Sequence, residues 1–189
     1  MIWKRTAAER NERFRTREEN GQMYIEGYFA VFGSRYELWE DAYETIERGA
    51  FEGETEKDVR ALANHDTTLV LGRTTAGTLA LKEDEKGLWG SITVNPNDQD
   101  AVNLYERVKR GDVSQCSFGF DIVEQDMEYA EGEPTVWKIK KVRLYEVSVV
   151  TFPAYEDTLV EARKKEYEET RKRKNEQWRE KMMGRLKGE

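Results

Sequence analysis

Apolar positions in this chain recur mostly at every second residue, in short runs broken by glycine or by clusters of acids. That is the rhythm of half-buried strands rather than of helices. Met23–Phe32 is the first such run, rich in aromatic and β-branched residues and closed by Gly33 and Ser34, and it predicts a strand followed by a turn. Arg35 onward mixes aromatics with acids as a loop would, and Ala42–Ile46 predicts a short second strand. From Asp58 to Asp66 the residues Val59, Ala61, Ala63 and His65 alternate, which places His65 at the end of a strand. Leu69–Gly72, Gly77–Lys82 and Gly87–Val94 follow at the short spacing of an antiparallel barrel or sandwich.

Asn97–Arg110 breaks that rhythm. Ala101, Val102, Tyr105 and Val108 fall at helical spacing, Asn97 or Asp98 stands where a cap is needed, and Gly111 stops the helix. The chain then enters a strand, Val113–Val123. On it Cys116, Phe118, Phe120 and Ile122 take one face, while Ser117, Gly119 and Asp121 take the other, turned away from the packed side. Gly119 leaves room for a close approach on the serine's face. An acidic loop, Gln125–Pro134, leads to a returning strand Thr135–Val142 and then to another, Arg143–Pro153, ended by Pro153.

The apolar pattern spans only part of the chain. Residues 1–22 are polar and charge-dense and form an N-terminal extension that orders weakly, residues 23–158 hold the folded domain, and residues 159–189 form a charged tail, either a solvated helix or a flexible arm. That tail carries 11 Lys+Arg against 7 Asp+Glu, net +4, so the total of −7 leaves −11 on residues 1–158. An acidic body disfavours binding to nucleic acid, which needs clustered cations to meet phosphates. No apolar run approaches the roughly 20 residues that span a bilayer, and the N-terminus lacks the apolar core of a signal peptide, so the expectation is a cytosolic protein with no membrane partner. The single cysteine, Cys116, excludes an internal disulfide. With one histidine and no metal-binding spacing, no metal or other cofactor is expected.

The one histidine also constrains any hydrolytic chemistry. If the chain is a serine hydrolase, His65 has to be the general base. Ser117 is then the candidate nucleophile, with Ser114, of opposite parity, as its rival; Cys116 shares the face of Phe118 and Phe120 and is better read as a small buried hydrophobe. Glu146 is the preferred third member, because a carboxylate within the apolar run from Tyr145 to Val149 is costly to bury without a partner. Pairing of Glu146 with Arg143, or exposure to solvent, stays an equal alternative at this stage. Asp66 and Asp121 are rivals for the same role, though Asp66 is adjacent to His65 and so points to the opposite face of its strand.

Taken in order, Gly27-Tyr28-Phe29-Ala30-Val31-Phe32, Arg48-Gly49-Ala50-Phe51, Asn64-His65-Asp66 with Leu71-Gly72-Arg73, Cys116-Ser117-Phe118-Gly119-Phe120, and Glu146-Val147-Ser148 with Pro153-Ala154-Tyr155 resemble the prohead maturation proteases of HK97-type tailed bacteriophages, over residues 23–161. The resemblance implies an α+β, mainly antiparallel fold, a closed β-barrel of the herpesvirus capsid-protease type with a few surrounding helices and a charged C-terminal helix. It implies a serine endopeptidase packaged inside the procapsid in the host cytoplasm, acting on the scaffolding segment of the major capsid protein and on itself, with homo-oligomerisation allowed. On that mapping Ser117 and His65 are catalytic. The herpesvirus enzymes complete the site with a second histidine, which this chain lacks, and Glu146 is the replacement. Apart from the resemblance, the oxyanion site is expected from backbone N–H groups or a nearby cation; Arg73 is one candidate, though a surface arginine after a turn is the favoured reading of it. The competing expectation is a non-catalytic capsid assembly or scaffolding factor with the same fold.

Overall fold

A computed structural model describes residues 3–6, 14–152 and 157–186. In chain order the elements are β1 (Trp3–Thr6), β2 (Arg15–Glu19), β3 (Gln22–Val31), β4 (Tyr36–Trp39), β5 (Ala42–Ile46), β6 (Arg60–Ala63), β7 (Asp66–Arg73), a short 3₁₀ turn (Thr74–Ala76), β8 (Leu79–Glu83), β9 (Gly87–Thr93), α1 (Gln99–Arg110), β10 (Gln115–Glu128), β11 (Thr135–Val150) and α2 (Asp157–Leu186). The chain divides into two compact units, Met1–Tyr155 and Glu156–Glu189.

Two sheets build the first unit. One runs β2-β3-β9-β8 and is antiparallel throughout. The other has seven strands in the order β1-β10-β11-β5-β4, with β6 also on β11 and β7 on β6. Its spine is the long β10–β11 hairpin. The outer edge of β11 receives two strands in succession, β5 beside Thr135–Ile139 and β6 beside Glu146–Val149, both parallel to it.

The expected closed barrel is therefore not what forms. Closure needs each strand to pair on both edges, whereas β2 and β8 end one sheet, and β1, β4 and β7 end the other, among the described residues. Breaks in register at Tyr28/Ala30 on β3 and at Gly119/Phe120, Ile122/Glu124 and Glu124/Gln125 along the hairpin bend the strands without joining the sheets. Aliphatic and aromatic side chains of both sheets fill one core, including Ile25, Phe29, Leu88 and Ile92 from the first and Phe118, Phe120, Val147 and Val149 from the second. The fold is α+β and mainly antiparallel, with one antiparallel and one mixed sheet, both open among the described residues.

Several strands differ from expectation for local reasons. Nothing between Val142 and Arg143 turns the chain, so the two predicted returning strands are one, and β10 runs on to Glu128 through part of the predicted acidic loop. Tyr36–Trp39 pairs with β5 where a loop was expected. Phe14, in the polar extension, is buried edge-to-face on Phe29 with ring centroids 4.9 Å apart, and it anchors β2. Residues 1–2 and 7–13 of that extension, and Pro153 with its neighbours to residue 156, lie outside the described residues.

α1 forms as its sequence dictates. The Asp98 carboxylate accepts from the backbone N–H groups of Asp100 and Ala101 at 3.0 and 3.2 Å. Gly111, at φ 87°, closes the other end. Ala101, Leu104, Tyr105 and Val108 are the residues it buries, Leu104 taking the inward place assigned above to Val102. The tail is helical along Asp157–Leu186, and it lacks a continuous apolar face: Trp178, Met182 and Met183 are exposed. No described helix is long and apolar enough to cross a membrane.

Candidate active site

The site is laid out by the register of three strands. In the β10–β11 hairpin Ser117 lies opposite Ser148 and Gly119 opposite Glu146. Residues directly opposite across a ladder point to the same face, so these four share one. Cys116, opposite Val149, and Phe118, opposite Val147, share the other. The Cys116 thiol donates to the Tyr28 carbonyl at 2.9 Å and is buried on that apolar side. Ser114 precedes β10 and is half-buried.

β6 brings the histidine to the polar face. Asn64 and His65 form the two-residue turn between β6 and β7, with φ of 51° and 60°. Two successive left-handed residues make the tight hairpin turn that suits twisted strands. Asparagine and histidine are among the side chains enriched in that conformation. The turn is tied to the end of β11: Asn64 N–H donates to the Val149 carbonyl at 2.9 Å, the Asn64 side-chain oxygen accepts from Thr151 N–H at 2.8 Å, and His65 N–H donates to Ser148 Oγ at 3.3 Å.

Held there, His65 Nδ1 lies 2.7 Å from Glu146 Oε1. A carboxylate can only accept, so Nδ1 carries the proton and the lone pair of the neutral ring is at Nε2. Ser148 Oγ donates to the other carboxylate oxygen, Oε2, at 2.6 Å. Ser148 thus links the backbone of the histidine turn to Glu146. The carboxylate occupies space that a side chain at position 119 would fill, since a Cβ there would stand 3.0 Å from Glu146 Cγ and closer still to Oε1. The anticipated close approach at Gly119 is made by Glu146.

Ser117 is fully buried, not outward to solvent as its parity alone suggested. The side chains of His65 and Glu146 are 8% and 12% exposed. Two polar atoms of this cluster, Ser117 Oγ and His65 Nε2, are inaccessible and have no hydrogen-bond partner. Leaving a buried polar atom unsatisfied costs about 1–3 kcal/mol. Both atoms needed for a serine–histidine proton transfer are therefore unengaged in this state.

The rival residues have other partners. Asp66 Oδ1 accepts from Thr68 Oγ1 and N–H at 2.6 and 2.8 Å, an arrangement internal to the start of β7 that holds its carboxyl below the usual range. Asp121 accepts the Tyr145 hydroxyl at 2.6 Å. Glu146 faces His65 rather than Arg143. Arg73 grips Asp58 through two hydrogen bonds at 2.6 and 2.7 Å, which hold the Asp58 carboxyl far below its usual value. Its guanidinium is committed there, away from the oxyanion role suggested for it. Among the described residues no group of His, Cys, Asp and Glu is gathered as a metal site would need.

Two contributors went unnoticed in the sequence. Ser148 was readable only as a residue sharing parity with Glu146, and Asn64 only as a neighbour of the histidine. The signal for Asn64 was its preference for left-handed backbone.

A family model described as Caudovirus prohead serine protease matches residues 11–173. The chain belongs to this family. It is 32% identical over 148 residues to the prohead protease of Enterobacteria phage HK97, a match covering 76% of this chain and 61% of that relative's length. The structure of the bacteriophage T4 capsid assembly protease aligns with a TM-score of 0.49 at 13% identity, over 80% of this chain and 98% of that one.

Proposed function

We propose that this member of the prohead protease family is a serine endopeptidase of capsid maturation, with Ser117 as nucleophile, His65 as general base and Glu146 as the residue that orients the base. The observation that carries the proposal is the Nδ1–Glu146 hydrogen bond, which turns the basic nitrogen of the chain's one histidine away from the carboxylate and leaves it available to a serine on the same face.

Reaction begins when Nε2 takes the Ser117 proton while Oγ attacks a peptide carbonyl carbon. The tetrahedral intermediate collapses as the imidazolium returns that proton to the leaving amine, and the acyl chain remains as an ester on Ser117. Water then enters, His65 removes its proton, and breakdown of the second intermediate restores the serine and releases the new carboxyl end. Glu146 stays ionised throughout and stabilises the imidazolium. Ser148 fixes the second carboxylate oxygen, so the ring plane and tautomer are set before substrate arrives.

The substrates are the scaffolding segment of the major capsid protein and the protease itself, cleaved within the procapsid. Co-expression with the cognate capsid protein tests this. Shortening of the capsid protein by the unsubstituted chain and none by Ser117→Ala is the expected result. Shortening by Ser117→Ala overturns the nucleophile. No shortening by either chain favours the assembly-factor role.

A further inference from the structure

The strand that carries Ser117 has its outer edge covered by the chain's own N-terminal segment. β1 pairs antiparallel with β10 over four positions, Trp3 opposite Phe120, Lys4 opposite Gly119, Arg5 opposite Phe118 and Thr6 opposite Ser117. Beyond Phe120, along Asp121–Glu128, β10 pairs with β11 on its inner side and has no strand on its outer side among the described residues. β10 is therefore a long edge, masked only next to the serine.

From this placement, and resting on the catalytic role assigned above to Ser117, we propose that the outer edge of β10 is where an extended substrate segment binds as an added strand, and that residues 3–6 occupy it as a displaceable internal blocker. Three features carry the inference. Peptide bonds reach a strand-borne nucleophile most simply by pairing with that strand, because backbone hydrogen bonds fix an extended chain in register irrespective of its side chains. The register already sets a peptide segment against Ser117, ending the described part of β1 opposite it. Ser117 Oγ is sealed from solvent with no partner while this strand is in place, as expected of a resting state and not of an engaged one.

The blocker is weak by construction. A strand held by pairing at four positions along one edge opens at low free-energy cost compared with a core strand. A longer extended segment gains further hydrogen bonds along Asp121–Glu128 that β1 does not make, so it displaces β1 by pairing over more of the same edge. Dense packing of substrate in a procapsid raises its effective concentration and drives the exchange.

The test uses the full chain with Lys4→Pro and Arg5→Pro together, since adjacent prolines remove N–H groups of both parities from β1. The binding probe is a fluorescein-tagged peptide of residues 1–12, followed by anisotropy, and the chemical probe is a fluorophosphonate that esterifies an activated serine. The doubly substituted chain is expected to bind the peptide at least about 10-fold more tightly than the unsubstituted chain. Ser117 in it is expected to react about 10-fold faster with the fluorophosphonate, and added peptide is expected to slow that reaction. Equal or absent peptide binding by the two chains, with Ser117 reacting at equal rates, overturns the blocker and leaves the nucleophile standing. Tighter peptide binding with no esterification of Ser117 in either chain supports the docking edge and overturns the protease assignment.

Discussion

The two faces of the β10–β11 hairpin are made by alternate residues of the same strands, yet they are held in different ways. On the apolar face, Phe118 stacks on Phe120 with ring centroids 4.8 Å apart and meets Phe51 edge-on at 5.5 Å, while Val147 and Val149 are completely buried beside them. Many weak contacts share the load there. On the polar face, a few directional bonds connect His65, Glu146 and Ser148, and two buried atoms remain unsatisfied. The apolar face is built to be stable. The polar face holds its groups in place at some cost, which is the usual economy of an active site.

That division predicts that substitutions on the two faces separate activity from stability. Ser117→Ala removes the proposed nucleophile and is expected to lower cleavage of a capsid-derived peptide by about 10⁶-fold while leaving the melting temperature unchanged or higher, because one unsatisfied hydroxyl disappears. Glu146→Gln keeps the shape but lets the amide donate where a carboxylate accepted, favouring the wrong ring tautomer; an activity loss near 10⁴-fold is expected from steady-state rates. Phe118→Ala reverses the pattern. It is expected to cost about 3–5 kcal/mol in denaturant unfolding, with the residual folded fraction retaining its site. Ser148→Ala deprives Glu146 of one hydrogen bond and is expected to reduce kcat about 10- to 100-fold with little change in KM, as a charged acceptor losing one donor worth about 1.5–3 kcal/mol would. If Ser148→Ala lowers stability by that amount and leaves kcat intact, its role is structural and the polar face is not dedicated to chemistry.

How much of this was legible along the chain follows from the range of each interaction. Parity on β10 separated Ser117 and Gly119 from Cys116, Phe118 and Phe120, because period-two alternation is local. α1 was legible for the same reason: Asp98 and Gly111 are caps whose effect reaches only a few residues. Glu146 stood out as a carboxylate in an apolar run, and the partner it finds is His65, more than 80 positions away in sequence. The parallel pairing of β5 and β6 with β11 was not legible, since it joins strands far apart in sequence through long connections and no turn signal announces it. Antiparallel rhythm left a barrel or a sandwich open, and the closed barrel that the resemblance implied is excluded by the open edges of both sheets among the described residues. The burial of Ser117 was hidden for a similar reason: parity tells which face a side chain takes, and what covers that face depends on distant segments.

The most direct test of the central claim is to find which residue a fluorophosphonate modifies. The unsubstituted chain, labelled to completion and mapped by peptide mass spectrometry, should carry one adduct, on Ser117, and His65→Ala should abolish it. An adduct on Ser114 or Ser148, or labelling of Ser117 at the same rate without His65, contradicts the site described for this protein.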